Sequence, residues 1–167
     1  MACALTQGYT LDCKDSIGGI TTVYFAPWED LNVVTKTAGV VTTITMDSTK
    51  VFYKYELVKE SSNFAEAINT NVQNGTVFYA QTLEIMLNKL QTNTRNEILL
   101  LAKNRLAVIV VDNNSDKWFF GLDFGLDITG GGSASGTAFG DRSGYTLTFT
   151  GNEKELAPKV TATVPIT

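Results

Sequence analysis

Residues 74–90, NGTVFYAQTLEIMLNKL, decide the fold class. Asn74-Gly75 is a tight-turn dipeptide, because both residues tolerate a positive φ. Apolar and polar side chains then alternate over residues 76–90, which is the period of a half-buried β-strand. Residues 51–70 alternate in a similar way before the turn. We therefore predict one long hairpin over residues 51–90, with arms of about 14 residues that reach about 45 Å.

Such a hairpin is longer than a domain of this size needs for its own core. Its tip, residues 61–74, carries few large apolar side chains. We expect the tip to project towards a neighbouring subunit, because exposed strand edges offer unpaired backbone groups to another chain. This hypothesis fails if residues 51–90 fold back wholly within one subunit.

Other short runs of β-branched and aromatic residues predict further strands. They cover residues 20–25, 40–46, 106–111, 117–122 and 145–149. One helix is predicted at about residues 95–104, begun by a capping box of Thr94 and Glu97. The fold class is therefore mainly β, an antiparallel β-sandwich or barrel with a long hairpin and one flanking helix.

Two segments are predicted to be irregular. Residues 129–140 are rich in Gly, Ser and Ala, which favours a flexible loop. Pro158 is expected to end the compact part, so that a flexible C-terminal tail from about residue 159 would dangle or add an edge strand. The 167 residues otherwise predict a single domain, residues 1–167.

Composition excludes several classes of protein. Apolar residues make up 44% of the chain and charged residues 18%, which is typical of a globular protein. No stretch approaches about 20 apolar residues, and no basic leader precedes an apolar run, so we expect neither a membrane span nor a signal peptide. The net charge of −4 argues against a nucleic-acid clamp. Histidine is absent, which lowers the expectation of an enzyme or a transition-metal site.

Asp112, Asn114 and Asp116 have the alternating spacing of a calcium-binding loop. Lys117 stands where that loop needs Gly, and Asp123 stands where it needs Glu. We therefore interpret this segment as a plain hairpin turn and predict no metal site.

The remaining candidate sites are also interpreted structurally. Gly130-Gly131-Gly132 does not match a phosphate-binding loop, and Ser133 and Ser135 have no histidine to activate them. The carboxylates of Glu153 and Glu155 are expected to be solvated. Cys3 and Cys13 are expected to be buried apolar thiols. The main aromatic side chains are expected to pack in the core or at subunit contacts: Tyr24, Phe25, Trp28, Trp118, Phe119 and Phe120. No catalytic residue, metal ligand or cofactor is predicted.

Three stretches together carry a family resemblance: residues 9–19 (YTLDCKDSIGG), the block from NGTVFYAQ at 74–81 through NTRNEILLL at 93–101, and residues 140–151 (GDRSGYTLTFTG). They resemble small structural proteins of tailed bacteriophages, including phages of Bacteroidetes. The order of predicted elements is similar to the phage tail-tube fold.

The resemblance implies a virion structural protein made in the host cytoplasm and located in the tail or neck. It implies a homo-oligomeric ring, six-fold or a multiple of it, that contacts other tail or neck proteins. Such rings surround a channel through which DNA passes without sequence-specific binding, and an acidic chain suits that role. The alternatives are a capsid-decorating or head-fibre protein and a ligand-binding β-sandwich, which would expose Trp28 or Trp118 at a concave face.

Overall fold

The computed structural model describes residues 3–167 and is mainly β, with 50% of residues in strands and 8% helical. This confirms the predicted β-sandwich with one flanking helix. The strands are β1 Ile20–Pro27, β2 Leu31–Thr37, β3 Val40–Met46, β4 Tyr53–Glu56, β5 Asn63–Asn71, β6 Thr76–Asn88, β7 Leu106–Asp112, β8 Lys117–Phe120, β9 Asp127–Ala134, β10 Gly144–Glu153 and β11 Lys159–Val160. Helix α1 spans Thr92–Leu101, and a single 3-10 turn spans Trp28–Asp30.

Two sheets pack face to face. The first has seven strands in the order β2-β3-β11-β8-β7-β1-β4, and the second has four in the order β5-β6-β10-β9. The core between them includes Val23, Phe25, Leu83, Val108 and Phe149, all essentially buried. Each is an inward-facing residue of a central strand, as the alternating pattern of a half-buried strand requires.

A second core lies on the other face of the seven-stranded sheet. It is built around Phe52, Ile109 and Phe119, and the chain after Pro158 covers it with Val160 and Val164. Strand β7 is therefore buried on both faces, which explains why its sequence, LAVIVVD, is continuously apolar instead of alternating.

The C-terminal segment does not dangle as a flexible tail, so that part of the prediction was wrong. It adds a strand, as the alternative allowed, but inside the sheet and not at its edge. Strand β11 lies inside the seven-stranded sheet, parallel to β3 and antiparallel to β8. Farther on, Ile166 forms a bridge with Phe52. Val160, Ala162 and Val164 are buried because they alternate along the segment and face the second core.

The predicted hairpin exists but is shorter than expected. Strand β5 pairs with β6 from Asn63–Glu84 to Asn71–Thr76, and Gly75 adopts a φ of 65° in the turn. Strand β4 is not part of it, since β4 pairs with β1 in the other sheet. Residues 51–62 thus fold back within the subunit, and the arms of 9 and 13 residues reach about 30 and 43 Å.

The chain changes sheets at residues 57–62. Glu60 has a φ of 58°, and the Ser61 hydroxyl donates to the carbonyl of Val58 at 2.6 Å. The Ser62 hydroxyl is buried and accepts a hydrogen bond from the backbone N–H of Met86 at 3.1 Å. These local bonds satisfy the backbone at the crossing, and periodicity alone could not show them.

Helix α1 begins earlier than predicted. Gln91 is its N-cap residue and makes no side-chain cap hydrogen bond, so the predicted capping box of Thr94 and Glu97 was wrong. Leu101 is buried and Ile98 packs on the core between the sheets, as expected. No helix within residues 3–167 is long and apolar enough to cross a bilayer.

The predicted flexible loop at residues 129–140 is partly a strand. Strand β9 pairs with β10 from Asp127–Thr150 to Ala134–Gly144, with a bulge beside Phe149. Glycine lowers intrinsic strand preference, but Gly131 has a φ of 124° and lies directly against the backbone of β10. Pairing with β10 therefore overrides the local composition.

Candidate assembly surface

The outer face of the four-stranded sheet is an extended surface of mostly small, neutral side chains. Strand pairing fixes which residues share it, because paired residues point to the same side of a sheet. They are Asn63, Ala65, Ala67, Asn69 and Asn71 on β5; Thr76, Phe78, Ala80, Thr82, Glu84, Met86 and Asn88 on β6; Thr146, Thr148, Thr150 and Asn152 on β10; and Asp127, Gly130, Gly132 and Ala134 on β9. We call this set the neutral face.

Charge on the neutral face is sparse. Glu84 and Asp127 are its charged members, and the one basic group against it is the Arg142 guanidinium, which donates to the Thr146 hydroxyl at 2.8 Å. Binding to nucleic acid depends on basic side chains that replace the counterions of the phosphates. The neutral face is therefore poorly suited to hold DNA.

Both edges of this sheet are open. Among residues 3–167, strand β5 pairs with β6 alone and β9 pairs with β10 alone. Natural proteins often protect such edges with Lys or Pro, and NFAEAINTN of β5 and DITGGGSA of β9 contain neither. Glu66 on β5 points inward to Gln81, and a bulge interrupts the pairing of β9 with β10, so each edge carries one protecting feature. The two edges lie on opposite sides of one sheet, where they can pair with each other between copies of the chain.

Two inward-facing side chains of the hairpin, Gln81 and Glu66, form hydrogen bonds that attach it to the rest of the domain. The Gln81 amide is buried; it donates to a Glu66 carboxylate oxygen at 3.2 Å and accepts from the N–H of Gly121 at 2.9 Å. The same Glu66 oxygen accepts from the N–H of Ala157 at 2.9 Å. Both strands of the hairpin are thus bonded to the seven-stranded part of the fold, which fixes the position of the β5 edge.

The hairpin tip extends beyond the rest of the sheet. Strand β10 supports β6 only from Tyr79 onwards, so Thr76–Phe78 are paired with β5 alone. Ile68 is 62% exposed and Val72 is 93% exposed. The tip therefore presents apolar side chains to water at the end of a fixed arm, which is typical of a contact surface.

Glu153 does not behave as predicted. Its side chain is only 3% exposed, and its carboxylate oxygens accept the backbone N–H groups of Asp123 at 2.8 Å and Phe124 at 3.0 Å. Burial raises the pKa of Glu153, and these backbone donors act in the opposite direction. The carboxylate closes the turn after β8, so the expectation of a solvated group was wrong for Glu153; Glu155 is the more exposed of the two.

We expect Glu153→Gln to lower the free energy of unfolding by about 1–3 kcal/mol near neutral pH, because an amide cannot accept from both backbone donors equally well. A raised pKa means that the folded protein binds the proton more tightly than the unfolded chain. This group therefore makes the wild type less stable as pH rises from about 4.5 through its folded pKa.

Urea denaturation between pH 4 and pH 8 measures this effect as the difference between wild type and Glu153→Gln. That difference should shrink towards neutral pH, where the wild-type carboxylate carries its charge in a buried site. Glu84→Gln, which alters an exposed carboxylate on β6, is the matched control. A pH-independent difference would contradict the assigned role of Glu153.

Asp112 organises the turn that had the spacing of a calcium loop. One of its oxygens accepts the N–H groups of Asn114 at 2.8 Å and Asp116 at 2.9 Å, and the other accepts from the Trp118 indole at 3.1 Å. The role of Asp112 in this turn therefore explains the spacing of Asp112, Asn114 and Asp116. Within residues 3–167, no group of three or more His, Cys, Asp or Glu side chains is placed to hold a metal ion.

Trp28 and Trp118, the tryptophans that a ligand-binding face would expose, make contacts within the chain instead. The Trp28 indole donates to the carbonyl of Leu122 at 3.0 Å, and the Arg105 guanidinium lies 4.1 Å from its ring centroid. Trp118 packs against the core between the sheets. Phe25, Phe119 and Phe120 are buried, as the core-packing interpretation predicts.

Residues 3–19 lie outside any helix or strand and are exposed throughout. We call this segment the N-terminal arm. Cys3 and Cys13 lie on it and are exposed free thiols, so the prediction that they are buried was wrong. A signal in the sequence could have drawn attention to the arm, since Leu5, Tyr9 and Leu11 alternate with small or polar residues as in a half-buried strand.

Comparison of the chain with family models, curated proteins and solved structures finds no match.

Proposed function

We propose that the chain is a virion structural protein, a subunit of a bacteriophage tail tube or of a neck or tail ring that assembles with copies of itself around a DNA-conducting channel. The observation that carries the proposal is the neutral face between two open edges, β5 and β9. Its phage assignment rests on the sequence resemblance of residues 9–19, 74–101 and 140–151.

The edges support ring formation. Pairing β5 of one copy with β9 of the next is a head-to-tail contact, and repeated head-to-tail contacts close into a ring when the rotation allows. The glycines of β9 favour close approach of a second backbone. A ring built in this way joins the four-stranded sheets into one continuous barrel.

The neutral face supports a role as the wall of that barrel. Lysine or arginine on such a wall would bind phosphates and retard DNA, whereas neutral threonine, alanine and asparagine side chains would not. The hairpin tip, with Ile68 and Val72 exposed, extends from the same sheet and can contact the next ring or a different tail protein.

Placing lysines on β5 tests the ring contact. We expect Ala65→Lys with Ala67→Lys to reduce the assembled fraction about tenfold, because charges repeated at every junction oppose edge pairing. Both alanines are exposed, so the monomer should remain folded. Val33→Lys on β2, an edge strand of the other sheet at a site 49% exposed, is the matched control and should assemble like wild type.

Negative-stain microscopy and analytical ultracentrifugation of the purified full-length chain measure the outcome. Rings or tubes of wild type and Val33→Lys, with monomers of the β5 variant, would support the proposal. Wild-type protein that stays monomeric under all conditions would refute it. A virion reconstruction that places the chain on the capsid shell would refute the channel role and favour a decorating protein.

A further inference from the structure

A hollow of about 320 Å³ lies under strand β9, between that strand and helix α1. Ile98 and Leu99 of the helix and Leu147 of β10 give it apolar walls, and Leu99 remains 46% exposed. Gly131 pairs with Leu147 and adds no side chain to this space. We call it the α1–β9 hollow. It opens beside an edge strand, so an apolar side chain on a strand added to β9 could enter it.

Strand β5 carries such a side chain at the opposite edge of the same sheet. Phe64, Glu66 and Ile68 point away from the neutral face, because they alternate with the residues that form it. Phe64 packs on the core between the sheets, whereas Ile68 is 62% exposed. Ile68 and the α1–β9 hollow thus lie on one side of the sheet, at its two open edges. A neighbour joined edge to edge brings them together.

Ring symmetry fixes the direction of this pairing. Each strand in the order β5-β6-β10-β9 is antiparallel to the next, so β5 and β9 run in opposite directions within one copy. The strands of a barrel run along its axis with a tilt, and rotation about that axis keeps their direction. Strand β9 of one copy therefore meets β5 of the next in antiparallel pairing.

The position of Arg95 distinguishes the two ends of the hollow. The Tyr145 hydroxyl lies 3.5 Å from the carbonyl oxygen of Gln91, the N-cap residue of α1, and Tyr145 pairs with Ser133. Helix α1 therefore begins at the Ser133 end of the hollow. Arg95 lies one turn into the helix and lines the hollow. It places a positive charge near Ser133.

Charge agrees with antiparallel pairing. If Ile68 lies opposite Gly131, an antiparallel β5 places Glu66 opposite Ser133 and close to Arg95, whereas a parallel β5 would place Glu66 at the other end of the hollow. The bonds from Gln81 and Ala157 go to one Glu66 oxygen, which leaves the second oxygen for a donor from another copy. One register thus matches an apolar side chain with an apolar hollow and a carboxylate with a guanidinium.

The same register suits the neutral face. It places Ala67 beside Gly132 and Ala65 beside Ala134. These small residues allow the two backbones to approach on that side of the joined sheet.

We propose that the α1–β9 hollow of one copy receives the Ile68 side chain of the next copy, with Glu66 of that copy beside Arg95. The inference rests on the proposed function and names the register of its ring contact. It assigns Ile68 to the neighbour within a ring and leaves Val72, in the hairpin turn, for contacts beyond the ring.

Cysteine cross-linking between two differently marked copies tests the contact. In a background with Cys3→Ser and Cys13→Ser, one copy carries Ile68→Cys and the other carries Leu99→Cys, so a mixed disulfide must join two molecules. The two proteins are mixed before assembly, oxidised and separated on non-reducing gels. In the control, Leu100→Cys replaces Leu99→Cys. Leu100 is the next residue of α1, is 53% exposed and lines a different hollow beside Tyr53.

We expect the Ile68–Leu99 pair to give at least about tenfold more mixed dimer than the Ile68–Leu100 pair, because a disulfide forms only between positions that lie side by side. Equal yields from rings that form normally would overturn this inference and leave the proposed function intact. Failure of wild type to assemble at all would overturn both.

Charge changes on the helix give a second readout that leaves the β5 edge unaltered. We expect Leu99→Asp to reduce the assembled fraction about tenfold, because Ile68 would then be buried against a carboxylate, whereas Leu100→Asp should assemble like wild type. Far-UV circular dichroism of the monomers checks that both variants fold. Equal assembly of the two folded variants, whether kept or lost, would contradict the role of the α1–β9 hollow.

Arg95→Glu tests the charge pair. It should reduce the assembled fraction about fivefold, since it sets a second carboxylate beside Glu66 of the neighbour. Lys103→Glu makes the same change of charge just after α1, outside the hollow, and is the matched control. Assembly of Arg95→Glu equal to that of Lys103→Glu would contradict the proposed register.

Discussion

Replacing Phe149 with alanine is expected to lower the free energy of unfolding by about 3–5 kcal/mol. The Phe149 side chain has no exposed surface, and its ring centroid lies 4.9 Å from that of Phe25 on the opposite sheet. It is paired with Leu83 on β6 and lies in the middle of the core between the sheets. Truncation removes apolar contacts from both sheets and leaves a cavity that rigid strands cannot close.

Thermal and urea denaturation of the full chain measure the loss, which should lower Tm by roughly 6–20 °C for a domain of this size. Phe139→Ala is the matched control, since Phe139 is fully exposed after β9 and should change stability by less than about 0.5 kcal/mol. Equal losses in the two variants would contradict the assignment of the core between the sheets.

Alternation of apolar and polar residues was enough to predict the central strands. Strands β1, β3, β6 and β10 follow from it, because in each the apolar positions face a core that side chains from other strands complete. Strand β7 followed instead from its continuous apolar run, which is typical of a strand buried on both faces. The fold class followed from these strands and one amphipathic helix.

Elements that depend on a distant partner were not predicted. Strand β9 has almost no side chains to form a pattern, and it is ordered by the backbone of β10. The predicted capping box failed because helix α1 begins two residues before Thr94. The hairpin was predicted too long, since alternation continues through residues 51–70 although the chain changes sheets between β4 and β5.

The candidate surface was less predictable than the fold. Which residues form the neutral face depends on the register between four strands, and that register is not visible in any one segment. Buried Glu153 was also missed, because only the folded chain brings the N–H groups of Asp123 and Phe124 to its carboxylate. The sequence predicted a projecting hairpin tip with few large apolar side chains, and two of these, Ile68 and Val72, are exposed to water.

Gly131→Val is expected to cost about 2–4 kcal/mol of stability and also to prevent assembly. Gly131 has a φ of 124°, which side chains rarely adopt, and a Cβ atom there would collide with the carbonyl oxygen of Thr146 on β10. Relief requires that β9 move away from β10. The edge proposed to meet β5 of the next copy would then lose its position.

Gly140→Val, in the loop between β9 and β10, is the control outside the proposed contact. A Cβ atom at Gly140 meets no atom within 4 Å. We expect its stability to stay within about 0.5 kcal/mol of wild type, and we expect it to form rings. Denaturation and negative-stain microscopy of both variants separate the two effects: rings formed by Gly131→Val despite its lower stability would show that β9 is not a ring-closing edge.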